Sequence, residues 1–395
     1  MTVVLQRLRD PQSSGVAGIV LGVFACFLAL PPIAERSILW PVLVGVAAAM
    51  LGLWTATRGR RRLGWGAVAA GLIGLALGIL ATRSGVGKLN IVFTASLIAS
   101  MFVFSTPLVF GAIGGMFSER SGVVNIGLEG MMLMGAFWGV YAADKGGSWV
   151  IGLLAAMAAG GLLALVHAFF AIHLRADQIV GGTAVNFLAL GITGYFFFQL
   201  YHGEDISAGV STIPDVTIPG LAHVQFLGPA IGKLNLMVWL SFVLVIVSYI
   251  VLFKTPIGLR IRACGEHPRA ADTVGINVYA IRYASVVVSG VLAALGGAYL
   301  SIGFGGGAFN DNMTAGRGFI ALAAMIFGNW RPFGAFGAAL LFGFSTALAF
   351  RLPAYSGSAA TLFQALPYVL TLIAVAGVIG RTVPPAADGK PYKKQ

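Results

Sequence analysis

The residues best suited to chemistry are a few polar side chains set inside long apolar runs. Glu129 follows Asn125 and Gly127, Arg317 follows Asp311 and Asn312, and Asn186 closes the run Gly181-Gly182-Thr183-Ala184-Val185. An ionisable group at membrane depth costs on the order of 3 kcal/mol even on a lenient insertion scale, so it turns inward, pairs, or sits beside water. Glu129 and Arg317 therefore read in two ways: as flanks of a polar pathway, or as a structural ion pair in which Arg317 can also snorkel to the interface. Asn186, with amide donors and a carbonyl acceptor, suits a hydroxyl-rich or amide-bearing solute, and equally suits a bond to a neighbouring helix. His167 reads as a buried structural side chain. Glycines beside Asn125 and Asn312 permit broken helices, whose freed backbone groups are tolerable only against protein or a wet cavity.

Other chemistries lack their residues. Neither Gly87-Lys88-Leu89 nor Gly232-Lys233-Leu234 carries the Ser or Thr that a nucleotide-binding loop needs after Lys, and the upstream Gly is missing too. There is no HExxH and no cysteine-histidine cluster, so neither catalysis nor a cofactor or metal is expected. Cys26 and Cys264 read as inert thiols. Energy for active transport must then come from an ion gradient or from a separate ATPase.

The segment Gly265-Glu266-His267-Pro268-Arg269-Ala270-Ala271-Asp272-Thr273-Val274-Gly275-Ile276-Asn277 favours the ATPase. Its pattern predicts a short capped helix that Glu266 and Pro268 start, Ala270 and Ala271 extend, and Gly275 stops. A two-turn helix between two spans can seat in a groove on a partner and pass its motion to both. The plainer alternative is an interfacial helix.

Composition dictates what must position these groups. The 395 residues are 58% hydrophobic and 10% charged with a mean hydropathy of +0.90, more apolar surface than a water-soluble domain can bury. The 55 glycines suit helices that approach closely in lipid. The predicted class is an all-α polytopic membrane protein of about 12 transmembrane helices. Apolar runs long enough to cross a bilayer lie near 15–30, 38–55, 64–82, 91–117, 123–142, 149–172, 180–201, 234–253, 282–303, 333–350 and 362–379, with a shorter one near 317–330. Arg7 and Arg9 precede the first run, but Pro31-Pro32 and Glu35-Arg36 stand where a cleavage site would be, so that span reads as retained.

The net charge of +12 is spread in clusters between spans rather than along one stripe, which argues for topology and against nucleic acid. With the N-terminus inside, 18 of the 25 Lys and Arg residues fall on the inner side. Both termini are then cytoplasmic, residues 254–281 face the cytoplasm, and residues 202–233 face outward. Glu129–Ala136 can also be laid over Arg317–Ala324. Those segments open the fifth and tenth spans, and an offset of five makes the copies run in opposite directions, the pattern of an inverted repeat with a solute site between its halves. Chance overlap among Gly and Ala is the alternative.

Three stretches then resemble a known family, the inner-membrane permeases of ABC importers for simple sugars and nucleosides, relatives of the ribose permease. They are Phe117–Met131, which resembles the nucleoside branch most closely; Gly265–Asn277, which resembles the loop that meets the ATPase subunit; and Ala315–Gly328 with Pro332 and Gly334 behind it. The resemblance implies a ten-helix core of two inverted halves, with residues 1–63 as an N-terminal helical hairpin outside the usual pattern, 64–380 as the permease core and 381–395 as a basic cytoplasmic tail. It further implies ABC ATPase subunits, a second permease subunit, the same or related, and an extracytoplasmic solute-binding protein as partners, in a bacterial inner membrane. A nucleoside is the expected solute. The alternatives are a simple sugar or a branched-chain amino acid, or an ion-coupled carrier working alone.

Overall fold

The computed structural model describes residues 11–29, 39–83, 94–203, 209–224, 227–351 and 382–394. They are mostly helical. In chain order the helices are α1 (Pro11–Ala29), α2 (Leu39–Thr57), α3 (Arg61–Arg83), α4 (Ala95–Arg120), α5 (Leu128–Gly146), α6 (Trp149–Ala168), α7 (Gln178–Tyr201), α8 (Leu236–Lys254), α9 (Pro256–Glu266), α10 (Pro268–Thr273), α11 (Val278–Ala298), α12 (Arg317–Phe327) and α13 (Pro332–Arg351). A short antiparallel ribbon pairs β1 (Asp215–Thr217) with β2 (Lys233–Asn235), in the register Val216 opposite Leu234. Among the described residues seven helices are long and apolar enough to cross a membrane. The apolar run expected at 362–379 lies outside the described residues.

The chain divides into two compact units. One contains α1, α2 and α3, each packed on the other two. Their contacts run along small residues: a methyl group at Gly45 would meet the backbone of Gly71, and one at Gly52 would meet Gly64 and Val68. In lipid, where burial of apolar surface gives helices little reason to associate, such close backbone approach supplies the van der Waals contact that does.

The second unit contains α5 to α12, most of α4 and α13, and the segment 382–394. Its centre is the trio α5, α6 and α11, with α7 against α5. Here too the seam is Gly and Ala, Gly135 lying on the backbone of Ala294, Gly297 on Met132, and Gly160 on Gly290. Large side chains fill the space beside this seam, among them Phe137, Phe197, Tyr299 and Phe309.

Helix starts follow their sequence signals. Asp177 caps α7 by accepting from the amides of Ile179 and Val180 at 2.9 and 3.0 Å, and Asn277 caps α11 through the Ala280 amide at 3.0 Å. The region around residue 266 differs from the expected single helix. Thr255 accepts from the Gly258 amide at 3.2 Å and Pro256 occupies the first turn, so a helix starts well upstream, and Glu266 ends it. His267, held extended (φ −144°, ψ 76°) by the proline after it, separates this α9 from α10. Pro268 does open α10, and Gly275, at φ +84°, follows its end.

Candidate functional site

The sequence singled out Asn125, Glu129, Asn186 and Arg317, and the fold brings their segments together. Helix α5 begins only at Leu128, so residues 121–127 leave α4 as non-helical backbone. Val123 and Asn125 in this stretch are fully buried. A broken stretch in lipid needs partners for its backbone groups, and four side chains from three helices supply them or brace it. The Val124 amide donates to Gln178 Oε1 on α7 at 2.7 Å, and the Val124 carbonyl lies 3.0 Å from His167 Nε2 on α6. Asn186 Nδ2 on α7 donates to the Ile126 carbonyl at 3.0 Å, while its Oδ1 accepts the Gly130 amide at 2.8 Å. Asn125 Nδ2 donates to Ser289 Oγ on α11 at 2.9 Å.

Asn186 therefore grips the chain on both sides of the α5 start. Gly130 permits this, because a methyl group there would meet the Cα of Asn186 and the side chain of Ala189 at 2.9 Å. The His167 ring is buried against the break, which agrees with a structural histidine.

The second break lies ahead of α12, where the backbone turns through positive φ at Asn312 (53°), Ala315 (44°) and Gly316 (84°). For an L-residue such as Ala315 that conformation costs roughly 1–2 kcal/mol. Glu129 meets this turn: Oε1 accepts the Gly316 amide at 2.7 Å and Oε2 the Gly318 amide at 2.5 Å. A carboxylate at a helix start satisfies donors that have no partner within the helix and faces the positive end of its dipole. Gly318 carries no side chain because a methyl group would fall on the Glu129 backbone. Arg317 turns back over the loop, its guanidinium donating to the carbonyls of Met313 and Thr314 at 2.9 and 3.1 Å. Glu129 thus acts on the peptide groups that flank Arg317 and ties the start of α12 to the start of α5.

A second polar cluster, which the sequence reading missed, surrounds the ends of α4 and α9. Glu119 is buried, and its Oε2 accepts the Trp330 indole N–H at 2.6 Å. Arg120 donates twice to the Trp330 carbonyl, at 3.1 and 2.8 Å. Arg282 on α11 is 1% exposed and donates to the Ser121 carbonyl at 3.1 Å. The segment 382–394 lies across this cluster. Glu119 and Arg120 stand inside the Phe117–Met131 stretch, but a Glu-Arg pair at a helix end looks like an ordinary solvated terminus. Nothing local marks it as a buried joint.

The residues of the 265–277 segment divide by burial. Gly265 and Ala271 are buried, whereas Glu266, Arg269, Ala270 and Gly275 are exposed, with His267 and Val274 exposed beside them and Pro268 partly covered. Gly265 is pressed on the Arg120 carbonyl, so the end of α9 sits directly on the end of α4. The result is a short helix anchored on one side and open on the other.

Comparison with known proteins gives one consistent answer. The chain is 45% identical over 313 residues to the guanosine ABC transporter permease protein NupQ of Bacillus subtilis, a match covering 75% of this chain and 96% of that one. It is 42% identical over 322 residues to the nucleoside ABC transporter permease protein NupC of Lactococcus lactis, covering 78% and 99%. A putative glucose ABC transporter permease protein of Haloferax volcanii is 35% identical over 264 residues, covering 66% and 78%. No solved structure matches the chain. The family model for the permease component of branched-chain amino acid transport systems matches residues 97–375, which takes in both helix breaks and the α9–α10 joint, and the chain belongs to that family.

Proposed function

We propose that this chain is the membrane-spanning permease subunit of an ATP-binding-cassette importer for a nucleoside. The observation that carries the reading is its likeness, over most of its length, to permeases named for guanosine and nucleoside transport. The two helix breaks fit it, since transporters place irregular backbone where a solute must pass. In this reading about twelve helices cross a bacterial inner membrane, with both chain ends cytoplasmic. Ten of them form two inverted halves, and residues 1–63 add an N-terminal hairpin. Asn125, Glu129, Asn186 and Arg317 border the pathway by holding the broken ends of α5 and α12 at their positions. Gly265 to Gly275 forms the cytoplasmic joint to an ATPase subunit, its open side (Glu266, Ala270, Val274) meeting that partner. A second permease and an extracytoplasmic binding protein complete the importer.

The deciding experiment reconstitutes the chain in proteoliposomes with and without its ATPase, second-permease and binding-protein partners, and follows labelled nucleosides, glucose and branched-chain amino acids. ATP-dependent nucleoside uptake by the full assembly alone is expected. Uptake by the isolated chain on a proton or sodium gradient, indifferent to ATP, overturns the assignment. Preference for glucose moves the solute to the class that the Haloferax relative's name carries.

A further inference from the structure

The segment 382–394 does not hang free but crosses the joint between α4, α9 and α11. The Ala387 amide donates to the Gly265 carbonyl at 2.8 Å, and the Ala386 amide to Glu266 Oε2 at 3.2 Å. The Val383 amide donates to Asn329 Oδ1 at 2.9 Å, just ahead of α13. At the other end Arg282 Nη1 donates to the Lys390 carbonyl at 3.2 Å, and the Arg282 guanidinium lies 6.0 Å from the centre of the Tyr392 ring. Tyr392 is buried with Cys264, Ala271 and Val278, so the segment closes a small apolar core over α9 and α10.

Between these attachments the Asp388 carboxyl lies beside that of Glu119, with its Oδ1 buried and without a hydrogen-bond partner. Two carboxyl groups held side by side favour keeping a proton at the pair, because both cannot ionise without repulsion. We propose that residues 382–394 are a strap that positions the α9–α10 joint on the end of α4, with Asp388 as its positioning residue through the contact with Glu119. The proposal rests on the reading of α9 and α10 as the joint to an ATPase.

The charge surroundings give the strap a pH dependence. Glu119 faces Asp388 from α4 and Arg282 faces it from α11, while Lys390, Tyr392 and, on α9, Cys264 lie around Arg282. Burial pushes the Asp388 carboxyl up from 3.8 to about 7, against the lowering effects of the Gly389 amide, of Glu119 and of Arg282. The docked strap then holds a proton that the released strap gives up near pH 4. Docking is strongest at low pH and weakens as pH rises from about 4 through about 7, and the Glu119 carboxyl, which burial and Asp388 also push up, adds to the same loss.

Cys264 reports on the strap directly. In a Cys26→Ser background it is the one thiol left in the chain, and it is fully buried in the core that Tyr392 closes. Maleimide labelling of the full chain, corrected for thiolate fraction, should rise several-fold between pH 5 and 7. Asp388→Asn, whose amide donates to Glu119 at any pH, should stay protected throughout; Asp388→Ala should label fast throughout. In the assembled importer, Asp388→Ala should lower solute moved per ATP hydrolysed several-fold and Asp388→Asn should restore it. Identical labelling of the three chains at every pH overturns the strap and leaves the importer assignment standing. A strap that labels as expected in a chain that never stimulates an ATPase overturns its role at the joint, together with the importer assignment.

Discussion

Glu129, in the first turn of α5, accepts the amide of Gly318, in the first turn of α12, at 2.5 Å. Two helices that each start within the protein are thereby joined at their starts by one carboxylate, and Arg317 is placed by that union. A buried charge-assisted bond of this kind contributes about 1.5–3 kcal/mol. Replacing Glu129 with Gln keeps one acceptor and turns an amide N–H toward a peptide N–H. The expected result is a fall in stability of about that size, read as a lower thermal midpoint in detergent. Transport should be lost with it. An unchanged midpoint with lost transport would place the carboxylate's role on the solute instead.

Gly318→Ala tests the same junction from the other side. Its methyl group would lie on the Glu129 backbone, and overpacking of this kind costs typically 1–3 kcal/mol. A midpoint equal to that of the parent chain would show that α5 and α12 can move apart freely.

Asn186 should be intolerant of both partial replacements. Asn186→Ala removes the bonds to Ile126 and Gly130, and Asn186→Asp keeps the acceptor for Gly130 but loses the donor to Ile126. The expected order of thermal midpoints is parent, then Asp, then Ala, with uptake falling in the same order. Double-mutant cycles with Gly130 should show coupling, since the two residues touch.

Ala315 offers the opposite sign. Its φ of 44° is costly for any side chain, so Ala315→Gly should raise stability by about 1 kcal/mol. If the midpoint rises while uptake falls, the strained turn serves the transport cycle rather than mere chain reversal.

At the α9–α10 joint, Gly275→Ala forces a side chain into φ +84° and should shift the end of α10. Glu266→Gln weakens the bond from Ala386. Both should lower uptake per ATP hydrolysed while membrane insertion and basal ATPase activity persist. Full coupling in both variants would remove this segment from the joint.

The sequence alone determined the solvent of this protein and the periods of its helices, because twenty-residue apolar runs admit few structures in lipid. It also marked the breaks, since glycines beside Asn125 and Asn312 are local signals, and it marked the start of α10 at Pro268, since proline acts on its nearest neighbours. Glu266 ends α9 instead of starting α10, because Thr255 and Pro256 nucleate α9 well upstream and the helix runs on to Glu266 before Pro268 stops it. What only the tertiary structure decided is partnership. Sequence pattern records which residues are polar, but the choice of Glu129 for the amides of α12, of Asn186 for the break before α5, and of Asp388 for Glu119 depends on contacts 187, 60 and more than 250 residues apart.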